Sequence, residues 1–146
     1  MTIRLLTHGD YDALLALWRA CPGLGLNALD DSREGYLRYL RRNPDTCFAA
    51  EEDGALVGAI LAGHDGRRGY IYHTAVHPDH RRQGVGSALV EAALCALKKE
   101  DIHKAALVAF AKNESGNAFW EKQGFDLRED LSYRNRALSQ MQRLDT

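Results

Sequence analysis

The apolar positions of this chain change period several times, and each change marks an element. Residues 2–6 read as a short strand, and Thr7 with Asp10 has the spacing of a capping box at the start of a helix. Tyr11, Leu14, Leu15 and Trp18 then recur on one helical face. Residues 21–31, with Pro22, Gly23 and Gly25, form a loop, and Asp31 or Ser32 caps a second helix that turns Tyr36, Leu37 and Leu40 inward. Asn43-Pro44 stops that helix, because the residue before proline is pushed out of the helical region. Two strands follow, 46–51 and 55–62, joined by the hairpin signal Asp53-Gly54. A polar turn over 63–69 leads into a third strand, 69–76. An amphipathic helix over 85–99 ends on Lys98 and Lys99, whose charges suit the helix dipole. A strand at 104–109, a short helix at 115–123 with Gly124 as its C-cap, and extended segments over 125–138 complete the pattern.

This order describes one mixed α/β domain, and 146 residues suffice to bury a core without metals or disulfides. The 19 basic and 20 acidic side chains leave a formal charge of −1, which argues against a nucleic-acid partner. Cys21, Cys47 and Cys95 are odd in number and widely spaced, neither a disulfide framework nor a zinc motif, and no metal is expected. The first ten residues carry Arg4, His8 and Asp10 rather than an apolar run, and no stretch approaches the roughly 20 apolar residues of a membrane span. A cytoplasmic protein with no membrane partner is the expectation.

The densest chemistry lies between the third strand and the long helix, in residues 76–87. The first turn of a helix leaves backbone N–H groups without internal partners, and Gly84 and Gly86 remove the side chains that would shield them. A pyrophosphate fits on the amides of Gln83, Gly84, Val85, Gly86 and Ser87, with Arg81 and Arg82 supplying charge beside it. The Rossmann fingerprint needs a third glycine and the Walker A pattern a lysine before Ser87; both are missing. A structural alternative is that the glycines merely tighten the turn and the arginines form a solvated face.

Arg81-x-x-Gly84-x-Gly86 resembles the acyl-CoA pyrophosphate loop of the GCN5-related N-acetyltransferase (GNAT) family. The resemblance extends upstream through Tyr70 to Pro78. Downstream it takes in Asn113, Gly116, Phe119-Trp120-Glu121-Lys122 and Gly124-Phe125, which are similar to the family's second signature. Gly63 to Gly69 further resembles a bacterial subgroup of small, uncharacterised acetyltransferases. The resemblance implies a single N-acetyltransferase domain over residues 1–146. Its central sheet would be mixed, mostly antiparallel and flanked by helices, with splayed strands forming an acyl-CoA cleft.

It also implies an acetyl-CoA-dependent acyltransferase that acetylates a primary amine, on a small molecule or a peptide, by direct transfer. The backbone of Thr74, Ala75 and Val76 would pair with the pantetheine arm, residues 81–87 would hold the pyrophosphate, and Asn113 and Trp120 would lie along the arm. Trp120 departs from the tyrosine that many members use to protonate the leaving thiolate, and an indole cannot act as that acid. Tyr133 is the candidate replacement acid. His73, His64, Asp65 and Tyr72 are candidate bases, with Tyr72 and Thr74 expected on one sheet face and His73 on the other. Asp30, Asp31 and Glu34 could draw a cationic amine or serve as exposed caps. The alternative to an enzyme is an acyl-CoA-binding sensor with little catalysis. An exposed terminal strand could pair across a homodimer.

Overall fold

The computed structural model describes residues 1–145. In chain order its elements are β1 (Thr2–Leu5), α1 (Tyr11–Ala20), α2 (Arg33–Arg42), β2 (Phe48–Glu52), β3 (Ala55–His64), β4 (Gly69–Val76), α3 (Val85–Lys99), β5 (Ala105–Ala106) and α4 (Glu114–Lys122). Short 3-10 turns occur at His8–Asp10 and Pro78–His80. The strands form one sheet in the order β1-β2-β3-β4-β5, antiparallel except for the parallel β4–β5 pair. This is the expected mixed, mostly antiparallel α/β architecture.

Local chemistry sets the boundaries. Asp53 and Gly54 both take positive φ, 52° and 78°, as the tight β2–β3 hairpin requires. The Ser32 hydroxyl accepts a hydrogen bond from the Gly35 N–H at 3.0 Å, so Ser32, not Asp31, caps α2. Gly124, at φ 89°, turns the chain off α4. Helices α1 and α2 cover one sheet face, where Leu14, Leu17, Trp18, Tyr36 and Leu40 pack on Ala59, Leu61 and Ala75. Helix α3 covers the other, where Val85, Leu89, Val90 and Leu97 meet Val57, Ile60 and Ile71. Leu17 takes the fully buried place that periodicity assigned to Leu15, which is partly buried.

One irregularity decides the site. Thr74 pairs with Ile60 and Ile71 with Ala62, so β4 carries an extra residue opposite Leu61. Such a bulge reverses the side-chain alternation of the strand. Ile71 packs on the α3 side, whereas Ala75 packs on the α1–α2 side. Tyr72 meets Tyr39 of α2 and His73 meets Trp18 of α1, so these neighbours share a face. The expected separation of Tyr72 from His73 is thereby corrected.

The C-terminal third also departs from expectation. The strand expected over 104–109 pairs only at Ala105 and Ala106, and residues 125–138 join no ladder. Beyond Ala106 the chain diverges from β4, which ends the pairing. Residues 142–144 return to the 21–31 loop, with the Ala28 N–H donating to Gln142 O at 2.9 Å and the Leu144 N–H to Leu26 O at 2.8 Å.

Candidate functional site

The divergence of β4 from β5 opens a cleft of about 990 Å³ between residues 71–74 and 107–110. The β4 edge that faces it carries unused backbone groups. The His77 N–H donates to Val57 O at 2.8 Å, which makes this a hydrogen-bonded pair. By the alternation of an antiparallel ladder, Ala75 then directs its N–H and C=O to β3, and Thr74 and Val76 direct theirs outward. Of the three residues whose backbone was expected to meet a ligand arm, Thr74 and Val76 turn their backbone groups away from β3, whereas those of Ala75 are used in the ladder. The Val76 carbonyl is partly occupied by Arg81 Nε at 3.2 Å and the Cys21 thiol at 3.4 Å, whereas the Thr74 hydroxyl is buried with no protein partner among the described residues.

The turn from Val76 to α3 leaves backbone amides open to solvent. Arg82 and Gly84 both lie at positive φ, 62° and 79°, and the space a Gly84 Cβ would occupy is open. The first internal α3 bond runs from the Ala88 N–H to Gly84 O, which leaves the Val85, Gly86 and Ser87 amides without helical partners. Arg81 and Arg82 are exposed beside them, with Gln83. Gly86 has a different reason to lack a side chain: its Cβ would lie 3.2 Å from the Phe119 ring, so this glycine lets α4 pack on α3. Gln123 Nε2 donates to Ser87 Oγ at 2.9 Å and ties the same two helices. These open amides, the neighbouring arginines and the orphaned Thr74 hydroxyl fit a phosphorylated cofactor with an extended polar arm.

The α1–α2 wall holds a dyad. His73 Nε2 lies 2.8 Å from Asp31 Oδ1, and Asp31 is only 4% exposed. The second Asp31 oxygen accepts from the Asn27 N–H at 2.9 Å, and the Tyr11 hydroxyl donates to the Asp31 carbonyl at 2.6 Å. The loop and β4 therefore fix the carboxylate, and α1 fixes the Asp31 main chain. With the Nε2 proton directed to the carboxylate, Nδ1 is left as an acceptor that has no partner among the described residues, on a ring that lines the cleft. The Trp18 ring meets this imidazole edge-on at 5.0 Å. Tyr70, Tyr72 and Tyr39 extend the wall, with ring centroids 4.6 and 5.6 Å apart. Burial raises the phenol pKa of Tyr70, Tyr72 and Tyr39, keeping them neutral.

Other candidates separate clearly. Tyr133 lines the cleft near Tyr70 and Tyr72, although it is largely exposed. Trp120 lines the cleft too, wedged edge-on between Phe119 and Phe125 at 5.0 and 5.2 Å. Asn113 borders it while its Oδ1 caps α4 by accepting from the Gly116 N–H at 3.0 Å. Asp65 lies elsewhere, in the β3–β4 turn. Its carboxylate accepts the Arg67 and Arg68 N–H groups at 2.8 Å, and these bonds hold its pKa below the usual range. His64 is paired with Glu100 at 3.0 Å. Neither lines the cleft. The Cys47 thiol is pushed up to about 12 by burial and is inert at neutral pH. Sequence spacing missed the Asp31–His73 pairing, since a contact between a loop and a strand 42 residues later leaves no local signal.

The model of the Acetyltransferase (GNAT) family matches residues 11–125. An acetyltransferase of Sodalis glossinidius is 30% identical over 131 residues, covering 90% of this chain and 91% of that protein. In fold, the chain is similar to Ard1 from Thermoplasma volcanium (TM-score 0.78, 23% identity, 87% and 83% coverage). It is also similar to the PaiA N-acetyltransferase from Thermoplasma acidophilum, solved in complex with coenzyme A (TM-score 0.77, 21% identity, 88% and 91% coverage). With a splayed sheet, a glycine turn on α3 and a family match across most of its length, this chain belongs to the GNAT acetyltransferase family.

Proposed function

We propose that the protein transfers the acetyl group of acetyl-CoA directly to a primary amine. The observation that carries this reading is the junction of two half-sites on one strand: the Asp31–His73 dyad in the cleft and, beside it on β4, the open edge that runs from Thr74 to Val76 and on to the Gly84 turn. The amides of Val85, Gly86 and Ser87, with Gln83, Gly84, Arg81 and Arg82, would bind the pyrophosphate. The outward backbone of Thr74 and Val76, with Asn113 and Trp120, would align the pantetheine arm.

An alkyl ammonium must lose a proton before it attacks. His73 is the proposed acceptor of that proton at Nδ1, with Asp31 as the positioning residue that fixes the tautomer. The amine nitrogen bonds to the thioester carbonyl carbon and the carbon–sulfur bond breaks; the nitrogen gives up its second proton to solvent, and the thiolate takes a proton from Tyr133, which solvent reprotonates, or from solvent itself. Holding amine and thioester in one cleft supplies the proximity term. Asp65, tied into its turn away from the cleft, is not part of this proposal.

A second reading, an acyl-CoA sensor with little turnover, is favoured by one observation: Trp120, whose indole cannot act as an acid, lines the cleft packed between Phe119 and Phe125. Amine-dependent release of CoA thiol from acetyl-CoA separates the two. Turnover with any amine in a panel of polyamines, amino acids and peptides supports transfer; tight binding without release supports the sensor.

A further inference from the structure

Four arginines lie on α2, and their surroundings differ. Arg33 is paired with Asp12 at 2.6 Å, and Arg41 does not line the cleft. Arg38 and Arg42 do line it, both exposed, on the helical face that also carries Gly35 and Tyr39. Neither has an ion-pair partner among the described residues. Glu34, one turn before Arg38, is not part of the cleft wall. Like charges four positions apart repel each other and weaken a helix. An anion between the two guanidinium groups would turn that repulsion into charge-assisted contacts, for which the planar arginine fork is well shaped.

The other charges of the cleft leave these two unanswered. Its carboxylates are Asp30 and Asp31, and its third arginine is Arg143. Asp31 is committed to His73, and Arg143 lies over the Phe110 ring at 5.2 Å and 3.9 Å from Asp145. Asp30, next to the dyad, is then the one exposed carboxylate of the cleft wall, against two unpaired arginines. One carboxylate suits one ammonium. Between the two ends the wall is aromatic: Tyr39 of α2 meets Tyr72 of β4, the neighbour of His73, at 5.6 Å. Val108 and Phe110 line the cleft as well, both exposed. Such walls suit an apolar stem.

We infer that the acceptor amine carries an anionic group, a carboxylate or a phosphate, at the far end of an apolar stem, and that Arg38 and Arg42 select it. The inference rests on the acetyl-transfer reading and names the acceptor class of that site. The amine meets Asp30 and His73, the stem lies along Tyr39 and Tyr72, and the anion meets the two guanidinium groups. The base sits on β4 and the arginines on α2, so the two charged ends of the acceptor are held by different elements and must be set apart. A diamine or polyamine would bring a second ammonium to the arginines, where like charges repel.

The test is CoA release from acetyl-CoA with ω-aminocarboxylates of increasing length, their amides, ω-aminoalkyl phosphates and alkyl diamines. The expected kcat/KM for the carboxylate or the phosphate exceeds that for the amide or diamine of equal length by roughly tenfold or more. The better of the two anions identifies the group. Arg38→Ala with Arg42→Ala should bring the ratio of anion to amide close to one, and Arg41→Ala, in the same helix but off the cleft, should leave it as it is. Equal use of amide or diamine by the wild type overturns the inference. So does a preference that survives the double variant, or one that Arg41→Ala removes as well. Calorimetric titration of the CoA-bound protein with the same series covers the case in which no amine releases CoA. Binding of an anion-bearing amine that the double variant abolishes then upholds the anion site while the transfer reading fails; no such binding overturns both.

Discussion

Replacing Asp31 with asparagine changes one oxygen to an amide at a nearly buried position of the cleft wall. The wild-type carboxylate accepts twice, from His73 Nε2 and from the Asn27 N–H. An amide has only one acceptor oxygen. The Asn27 N–H can only donate, so it claims that oxygen, and the amide NH2 is left facing Nε2. Nε2 must then accept, and the ring proton moves to Nδ1, the atom proposed to receive the proton of the amine. Loss of a charge-assisted hydrogen bond costs about 1.5–3 kcal/mol, which for a chain of this size lowers Tm by roughly 3–12 °C. Loss of the base costs roughly 10²–10⁴ in the chemical rate. The assay is single-turnover CoA release at saturating acetyl-CoA and amine across pH. Calorimetric acetyl-CoA affinity is the control and is expected to be unchanged. A folded D31N protein that keeps the wild-type rate and pH profile would remove the dyad from the mechanism.

The remaining predictions concern the cofactor turn, proton donation and acid stability. Gly84→Ala forces a side chain into a left-handed conformation, at about 1–2 kcal/mol, and should weaken acetyl-CoA. Gly86→Ala should act by displacing Phe119, with a smaller change in affinity; titration calorimetry with melting curves separates the two. W120F should retain much of the maximal rate, while Y133F should lower it without changing acetyl-CoA affinity, a pattern expected of a group that acts only in the transition state. The Arg4 guanidinium, bonded to Asp10 at 2.8 and 2.9 Å, holds that carboxyl below the usual range. A depressed folded pKa gives stability that is present above about pH 4 and is lost as pH falls through the folded value. Arg4→Gln should therefore flatten the acid limb of a Tm-against-pH curve.

What was legible in the sequence was what local chemistry decides. Asp53-Gly54, Asn43-Pro44, Ser32 and Gly124 act within a few residues of themselves, and the elements they bound appear close to where the pattern places them. The start of α3 at Val85 was legible for the same reason, since Gly84 at positive φ immediately precedes it. The β4 bulge was not. Nothing in residues 69–76 marks an extra residue, because it exists only relative to the register of β3, and it alone brings Tyr72 and His73 to one face. Gly86 shows the same limit: its spacing marks an open amide, but the neighbour that excludes a side chain there is Phe119, far along the chain. The short reach of β5 followed from the divergence that makes the cleft, again a property of two strands together.

The central claim is that one cleft binds acetyl-CoA and presents it to an amine. Amine-dependent CoA release, followed with a thiol reagent for wild type, Gly84→Ala and Asp31→Asn, tests it most directly. The account predicts that at least one amine supports wild-type turnover, that G84A is rescued by raised acetyl-CoA, and that D31N is not. Release of CoA by no amine, from a protein that binds acetyl-CoA, would contradict it.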